Sequence, residues 1–175
     1  MRKTAVIGNA GGGKTTLCET LQRIYDVPYY SIDNIQWKEN WSRVPVEEVR
    51  ATITEIMDDD NWIIDGWGPW ETIEERFKRC DSIVFVDLPL QMHLWWALKR
   101  QMLAWIRPSM VKTPKECSFR RKTMITMKTI YRVDNNYIPK LRELVYKYAD
   151  STKIYHLKSK KALKQFLKEQ KAAEL

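Results

Sequence analysis

Gly8-Asn9-Ala10-Gly11-Gly12-Gly13-Lys14-Thr15 decides how this chain is read. The stretch satisfies every fixed position of G-x-x-x-x-G-K-[S/T]. It also stands where that pattern has meaning, between a short apolar run and a segment of helical spacing. Gly11, Gly12 and Gly13 let the backbone turn with its N–H groups facing inward. Those donors, together with the N-terminus of the helix that follows, attract phosphate oxygens. In this pattern Lys14 reaches the β- and γ-phosphates of a nucleoside triphosphate and the Thr15 hydroxyl goes to magnesium. Thr16 is placed to touch the α-phosphate. Gly8 through Thr16 is therefore a candidate site for ATP with Mg2+.

Working outward, Thr4 to Ile7 is apolar on both faces and reads as a buried parallel strand ending at Gly8. Lys14 to Tyr25 has helical spacing, with Leu17, Leu21 and Ile24 on one side. Pro28 to Ile32 reads as a second strand. Pro45 suits the first turn of a helix that turns Val46, Val49, Ile53 and Ile56 inward. Trp62 to Ile64 is a third strand, ending in Asp65-Gly66, and Ser82 to Val86 a fourth, ending in Asp87. Pro89 opens a helix to about Arg100. Met102 to Ser118 lacks clear periodicity, holds Pro108 and Pro114, and reads as a loop or short lid. A helical region starts at Phe119, breaks near Asn135, Asn136 and Pro139, and resumes to Tyr148. Lys153 to Leu157 is a fifth strand, and Ser159 caps a last helix to about Lys171. Strand and helix alternate throughout, the pattern of a parallel sheet with helices on both faces.

The chain has 175 residues, one domain's worth, with 44% hydrophobic and 30% charged residues. That composition excludes disorder. The formal charge of +8 attracts polyanions of every kind and does not by itself separate ATP from nucleic acid. Between Lys99 and Arg132 ten basic residues face one acid, Glu116. Cys18, Cys80 and Cys117 are widely spaced and odd in number, which predicts free thiols in a reducing cytoplasm. The N-terminus runs straight into a strand, so no signal peptide is expected. No apolar run approaches the ~20 residues that cross a bilayer, so no membrane partner is expected. His93 and His156 are isolated, without a His/Cys cluster at zinc spacing.

In an open parallel sheet, ligands bind beyond the carboxyl ends of the strands. Asp33, Asp65 and Asp87 are expected there. Asp65 is the first choice for holding magnesium through water, and Asp87 a weaker one. Asp33 is the candidate general base or acceptor contact. Transfer of a phosphoryl group spreads negative charge that a closing arginine stabilises. Arg100, Arg107, Arg120 and Arg121 flank the irregular segment and are candidates, Arg100 and Arg107 foremost. Arg43, Arg50 and Arg76 lie on the acceptor side and suit an anionic acceptor. Trp37, Trp41, Trp67 and Trp70 follow the second and third strands, as pocket lining or as packing. Trp95, Trp96 and Trp105 read as core or lid packing.

Taken together, Val6-Ile7-Gly8 through Thr16, Ser31-Ile32-Asp33 followed by Trp37, Trp62 to Gly66, Ile83 to Pro89 and Leu98-Lys99-Arg100 resemble the adenylate-kinase-like P-loop proteins. Within them the chain looks closest to the group called DNA topology modulation proteins. The resemblance spans nearly the whole chain. It implies the three-layer P-loop fold, a five-stranded parallel sheet in the order 2-3-1-4-5 with a short lid near 102–118. It also implies a magnesium role for Asp65, an Arg100 that faces the phosphates, and a loop near Ser159 and Lys160 bordering adenine. Two features depart from the relatives. Trp67-Gly68 stands where the group commonly has Asn-Tyr, and the arginine that follows Asp-Gly-Phe-Pro in adenylate kinases is absent, which weakens the case for a nucleoside monophosphate acceptor.

Two functions compete. The first is a phosphotransferase acting on a nucleotide or small-molecule acceptor. The second is a DNA-associated ATP-binding regulator or ATPase, favoured by the basic stretch but lacking any recognised reader of nucleic acid. A GTPase switch is disfavoured, since no Asn-Lys-x-Asp segment is present.

Overall fold

The computed structural model describes residues 1–107 and 123–173. In chain order the elements are β1 (Lys3–Gly8), α1 (Lys14–Tyr25), β2 (Tyr29–Ser31), α2 (Ile32–Gln36), a 3-10 turn (Glu39–Trp41), α3 (Val46–Asp58), β3 (Trp62–Asp65) and α4 (Trp70–Arg79). Then come β4 (Ser82–Val86), α5 (Leu90–Ile106), α6 (Thr123–Asn136), α7 (Ile138–Lys147), β5 (Lys153–Leu157) and α8 (Lys160–Ala172). The five strands form one parallel sheet in the order β2-β3-β1-β4-β5. Gly8 pairs with Val86 and Val86 with Leu157, while Asp65 pairs with Ser31 and Val6. That register brings Gly8, Asp65 and Asp87 to one edge of the sheet.

Alternation along the strands divides the core in two. Ala5, Ile7, Ile64, Ile83 and Phe85 pack with Ile53 and Met57 of α3, Ile73 and Phe77 of α4, and Leu141 and Val145 of α7. Val6, Ile63, Val84 and Val86 point the other way, onto Leu17 and Leu21 of α1 and Phe166 of α8. Ser159 caps α8 as its sequence predicts, accepting from the Ala162 amide at 3.1 Å. The break near Asn136 is also present, with Pro139 in the first turn of α7.

Several expectations need correction. The second strand stops at Ser31, and Ile32 opens α2, because the side chain of Ile32 is wanted against the turn at Gly66 and Gly68. Asp33 thus sits in the first turn of a short helix. Helix α4, absent from the expected elements, fills the gap between β3 and β4. Val46 is half exposed and not inward, since it is the first residue of α3. Helix α5 does not end near Arg100 but continues to Ile106. Met102, Leu103 and Ala104 are strong helix formers, and Gln101 and Ala104 are buried. Arg107, which precedes Pro108, leaves the helical region at φ −138° and ψ 77°. The first five residues of the expected lid are therefore helix, and its remainder from 108 to 118, with Cys117, Phe119, Arg120 and Arg121, lies outside the described residues. Trp95 and Trp105 are exposed (63% and 58%), so neither is core, whereas Trp96 packs on the α1 side of the sheet.

Candidate active site

The glycine-rich loop joins β1 to α1, and three other elements hold it. The Trp67 indole N–H donates to the Gly8 carbonyl at 3.0 Å. Asn9 is buried; its side-chain amide donates to the Ile130 carbonyl of α6 at 2.9 Å while its oxygen accepts from the Ala10 amide at 2.8 Å. From α5, the His93 Nδ1 lies 2.9 Å from the Ala10 carbonyl, so this histidine is not isolated. Gly8 is obligatory on steric grounds: a Cβ there would lie 2.2 Å from the Val86 carbonyl oxygen, at φ +151°.

Lys14 and Asp65 meet below the loop. The Lys14 Nζ donates to the Asn9 carbonyl at 3.0 Å and stands 4.0 Å from Asp65 Oδ1. Asp65 is buried and its Oδ1 accepts no hydrogen bond. Burial pushes its carboxyl up, and the Lys14 ammonium opposes this. The Tyr29 hydroxyl, at 3.4 Å from Asp65 Oδ2, also interacts with Thr15. Burial and then the Asp65 charge push the Tyr29 phenol well up, so it stays a donor. Sequence reasoning missed Tyr29; its place on a strand next to the one ending in Asp65 is the only signal that pointed to it. Cys18 lies nearby as an inert thiol, its pKa pushed up by burial and then by Asp65.

Asp33 is coupled electrostatically to both Asp65 and Arg100. Packing of Ile32 on Gly66 and Gly68 seats Asp33 beside the Asp65–Trp67 segment. The Asp33 charge raises the pKa of Asp65 and supports the charged form of Arg100, whose burial pulls the other way. Asp33 Oδ1 also accepts from the Gln36 side chain at 2.9 Å. Lys14, Asp65, Asp33 and Arg100 therefore form one electrostatic unit. Arg107 is exposed at the end of α5, about 10 Å along the helix axis from Arg100 at 1.5 Å per residue. Thr15 and Thr16 are exposed at the start of α1.

The tryptophans divide. Trp67 stacks on Trp70 with centroids 6.2 Å apart, and Tyr137 from the α6–α7 junction meets both, at 6.1 and 6.4 Å. Trp70 and Tyr137 keep exposed faces, so this group is a wall beside the loop. Trp37 and Trp41 instead pack edge-to-face on each other at 5.7 Å, with Arg43 over the Trp37 ring at 5.1 Å. Arg50 pairs with Glu71 on the surface.

Two other assignments fail. Asp87 is no magnesium ligand candidate, because its carboxylate is already taken by Arg142 of α7 at 2.9 Å and by His156 Nε2 at 2.7 Å. His156 in turn bonds the Tyr146 hydroxyl at 2.7 Å and stacks on Phe85, its neighbour across the β4–β5 pairing. Arg76 does not face an acceptor. It is fully buried and spends its donors on the carbonyls of Thr72, Gly66 and Trp67, at 3.1, 2.8 and 2.6 Å. Burial lowers its pKa to about 10.

Solved structures share this arrangement of strands and helices. A shikimate kinase from Acinetobacter baumannii in complex with shikimate superposes with a TM-score of 0.59 at 12% identity, over 97% of this chain and 90% of that one. The fold is that of the shikimate kinases. Those of Aquifex aeolicus and Bacteroides thetaiotaomicron give 0.51 at 17% identity and 0.51 at 18%, the latter over 98% of both chains. At such identities the likeness is one of fold. No family model matches the chain, and no curated protein matches it. These structural neighbours give no support to the DNA-topology part of the sequence resemblance.

Within this P-loop kinase fold the residues fit the groups their motif implies. The loop offers N–H donors in a cradle that a Cβ at Gly8 would distort, and the orphaned Asp65 Oδ1, 4.0 Å from Lys14 Nζ, suits a hydrated cation. Among the described residues no helix is long and apolar enough to cross a membrane. Arg76 is the brace of the turn that carries Trp67. Arg76→Ala is expected to lower the unfolding free energy by about 3–5 kcal/mol, since it orphans buried carbonyls and empties their core volume. A lowered urea midpoint at unchanged slope is the readout; an unchanged midpoint would mean that water replaces the guanidinium at no cost.

Proposed function

We propose that this chain is a phosphotransferase that moves the γ-phosphoryl group of ATP to a small-molecule acceptor seated between Asp33, Arg100 and the Trp67–Trp70–Tyr137 wall. One observation carries the reading: the lysine of a loop with the full phosphate-binding pattern stands 4.0 Å from the buried Asp65, and Asp33, which is coupled to Asp65, is coupled to Arg100 as well. In this scheme the loop amides and Lys14 bind and orient the phosphates. The exposed carboxylate of Asp33 takes the proton of the acceptor hydroxyl as the new bond forms. Arg100 faces the charge that develops on the phosphoryl oxygens. Thr15 and, through water, Asp65 would hold magnesium, which neutralises phosphate charge when bound. The loop near Ser159 and Lys160 borders the adenine. The aromatic wall, with the lid expected from the sequence, keeps water from the reacting group.

The structural neighbours support a small acceptor, since they are named shikimate kinases and one holds shikimate. Two buried free thiols, Cys18 and Cys80, support a reducing, cytoplasmic setting.

Phosphorus NMR of magnesium–ATP tests the proposal across a panel of small hydroxylated acids including shikimate, nucleosides, nucleotides and short DNA. One new phosphorylated product is expected with one acceptor class. Asp33→Asn should then lose about 10²-fold in kcat at unchanged nucleotide affinity, the usual contribution of a general base. ATP left intact with every acceptor but hydrolysed faster with DNA would replace the transferase reading with the DNA-linked ATPase.

A further inference from the structure

Helix α5 lies against the glycine-rich loop along one face. A Cβ on Gly11 would stand 2.8 Å from the His93 carbonyl oxygen and 3.5 Å from the Ala97 Cβ. One on Gly12 would stand 2.9 Å from the His93 Cε1, and one on Gly13 3.4 Å from the Trp96 ring. Residues 93, 96 and 97 are i, i+3 and i+4, one face of a helix. The glycines therefore do more than permit a turn; they let α5 come down onto the loop. From this face His93 offers the loop a polar side-chain contact, Nδ1 at 2.9 Å from the Ala10 carbonyl.

We propose that His93 is a positioning residue for the nucleotide: its Nδ1–H, donated to the Ala10 carbonyl, sets the orientation of the Ala10–Gly11 peptide and so aims the Gly11 amide at the phosphates. The inference rests on the nucleotide-binding reading above. A carbonyl oxygen only accepts, so the imidazole carries its proton on Nδ1. The peptide unit is planar and trans, with C=O and N–H pointing opposite ways. Holding the Ala10 oxygen toward α5 therefore turns the Gly11 N–H away from α5 and into the loop. Without that bond the peptide can flip, and the loop loses a donor when it closes on phosphate. The imidazole is 1% exposed, so water does not take its place. Burial, helped by the Lys14 charge, holds its pKa below the usual value, against the pull of the Ala10 bond, the Asp134 charge and the smaller effect of the Leu88 carbonyl.

Three variants separate positioning from packing. In His93→Asn the side-chain amide reaches where Nδ1 stood, in His93→Gln it reaches toward Nε2, and His93→Leu keeps bulk without a donor. The readout is calorimetric titration with magnesium–ADP, with thermal unfolding of each nucleotide-free protein alongside. Asn is expected to bind within about threefold of wild type and Gln and Leu about tenfold more weakly, one hydrogen bond's worth. KM for the acceptor should stay unchanged in all three. Leu binding as tightly as wild type, or Asn binding as weakly as Leu, would overturn the role. If Leu fails to fold, the Asn–Gln pair decides by the same criterion. Wild-type protein that does not bind magnesium–ADP at all would instead remove the nucleotide reading beneath it.

Discussion

Lys14→Ala is expected to cut phosphoryl transfer about 10³-fold or more, the scale seen when a preorganised charge is removed from a transition state. The loss follows from where the ammonium sits. It is held by the Asn9 carbonyl at one side and by Asp65 at 4.0 Å on the other, nearly out of contact with solvent. A cation fixed there needs no reorganisation when negative charge moves onto the phosphoryl oxygens. The variant also removes the Lys14 charge that opposes the burial of Asp65, so the Asp65 pKa should move further up. Product formation by phosphorus NMR, with magnesium–ADP affinity measured in parallel, checks the expectation. Transfer at the wild-type rate would mean that the loop does not touch the transferring group.

Asp65→Asn is expected to move activity and stability in opposite directions. Transfer should fall about 10²-fold, because the cation loses its carboxylate while lysine and loop remain. Stability at neutral pH should rise. The folded-state pKa of Asp65 lies above its unfolded value of 3.8, chiefly through burial. A group raised in this way favours the folded state below the unfolded pKa and loses that contribution as pH rises through the folded one. Above the folded-state pKa the carboxylate, with an unpartnered Oδ1, is therefore a cost that asparagine removes. A gain of about 2–4 °C in Tm would match ~1 kcal/mol in a domain of this size. The gain should vanish on acidification below about pH 4, where the wild-type carboxyl is neutral too. A lower Tm for the variant at pH 7 would show instead that the Lys14–Asp65 pair is net stabilising.

The loop was legible because its chemistry is local: glycines, a lysine and a threonine at fixed spacing need only a strand before them and a helix after. Strands β1, β3 and β4 were legible for the same reason, each being a short apolar run with Gly or Asp at its end. Asp65 could be nominated as the residue that ends β3, but its burial and its unpartnered oxygen could not be read there. They come from the register that seats it between Val6 and Ser31.

Other elements were hidden because distant residues decided them. Ile32 reads as strand, yet it starts a helix to pack on Gly66 and Gly68. Arg76 reads as an arginine for an anionic acceptor, yet it is buried with its donors on three backbone carbonyls ten or fewer positions away. Asp87 stands at a strand end just as Asp65 does, yet Arg142 and His156 take it out of the site. His93 carries no motif, and only the descent of α5 onto the glycines brings it to the loop.

The amino-acid sequence by itself determined the alternation of strands and helices and the phosphate-binding loop, because both depend on neighbours within a few residues. Tertiary structure alone decided which of the strand-end carboxylates stays available, which arginine is buried as a brace and which histidine touches the loop. Those outcomes turn on packing between segments tens of residues apart, and there burial and hydrogen bonding sort side chains of the same type into different roles.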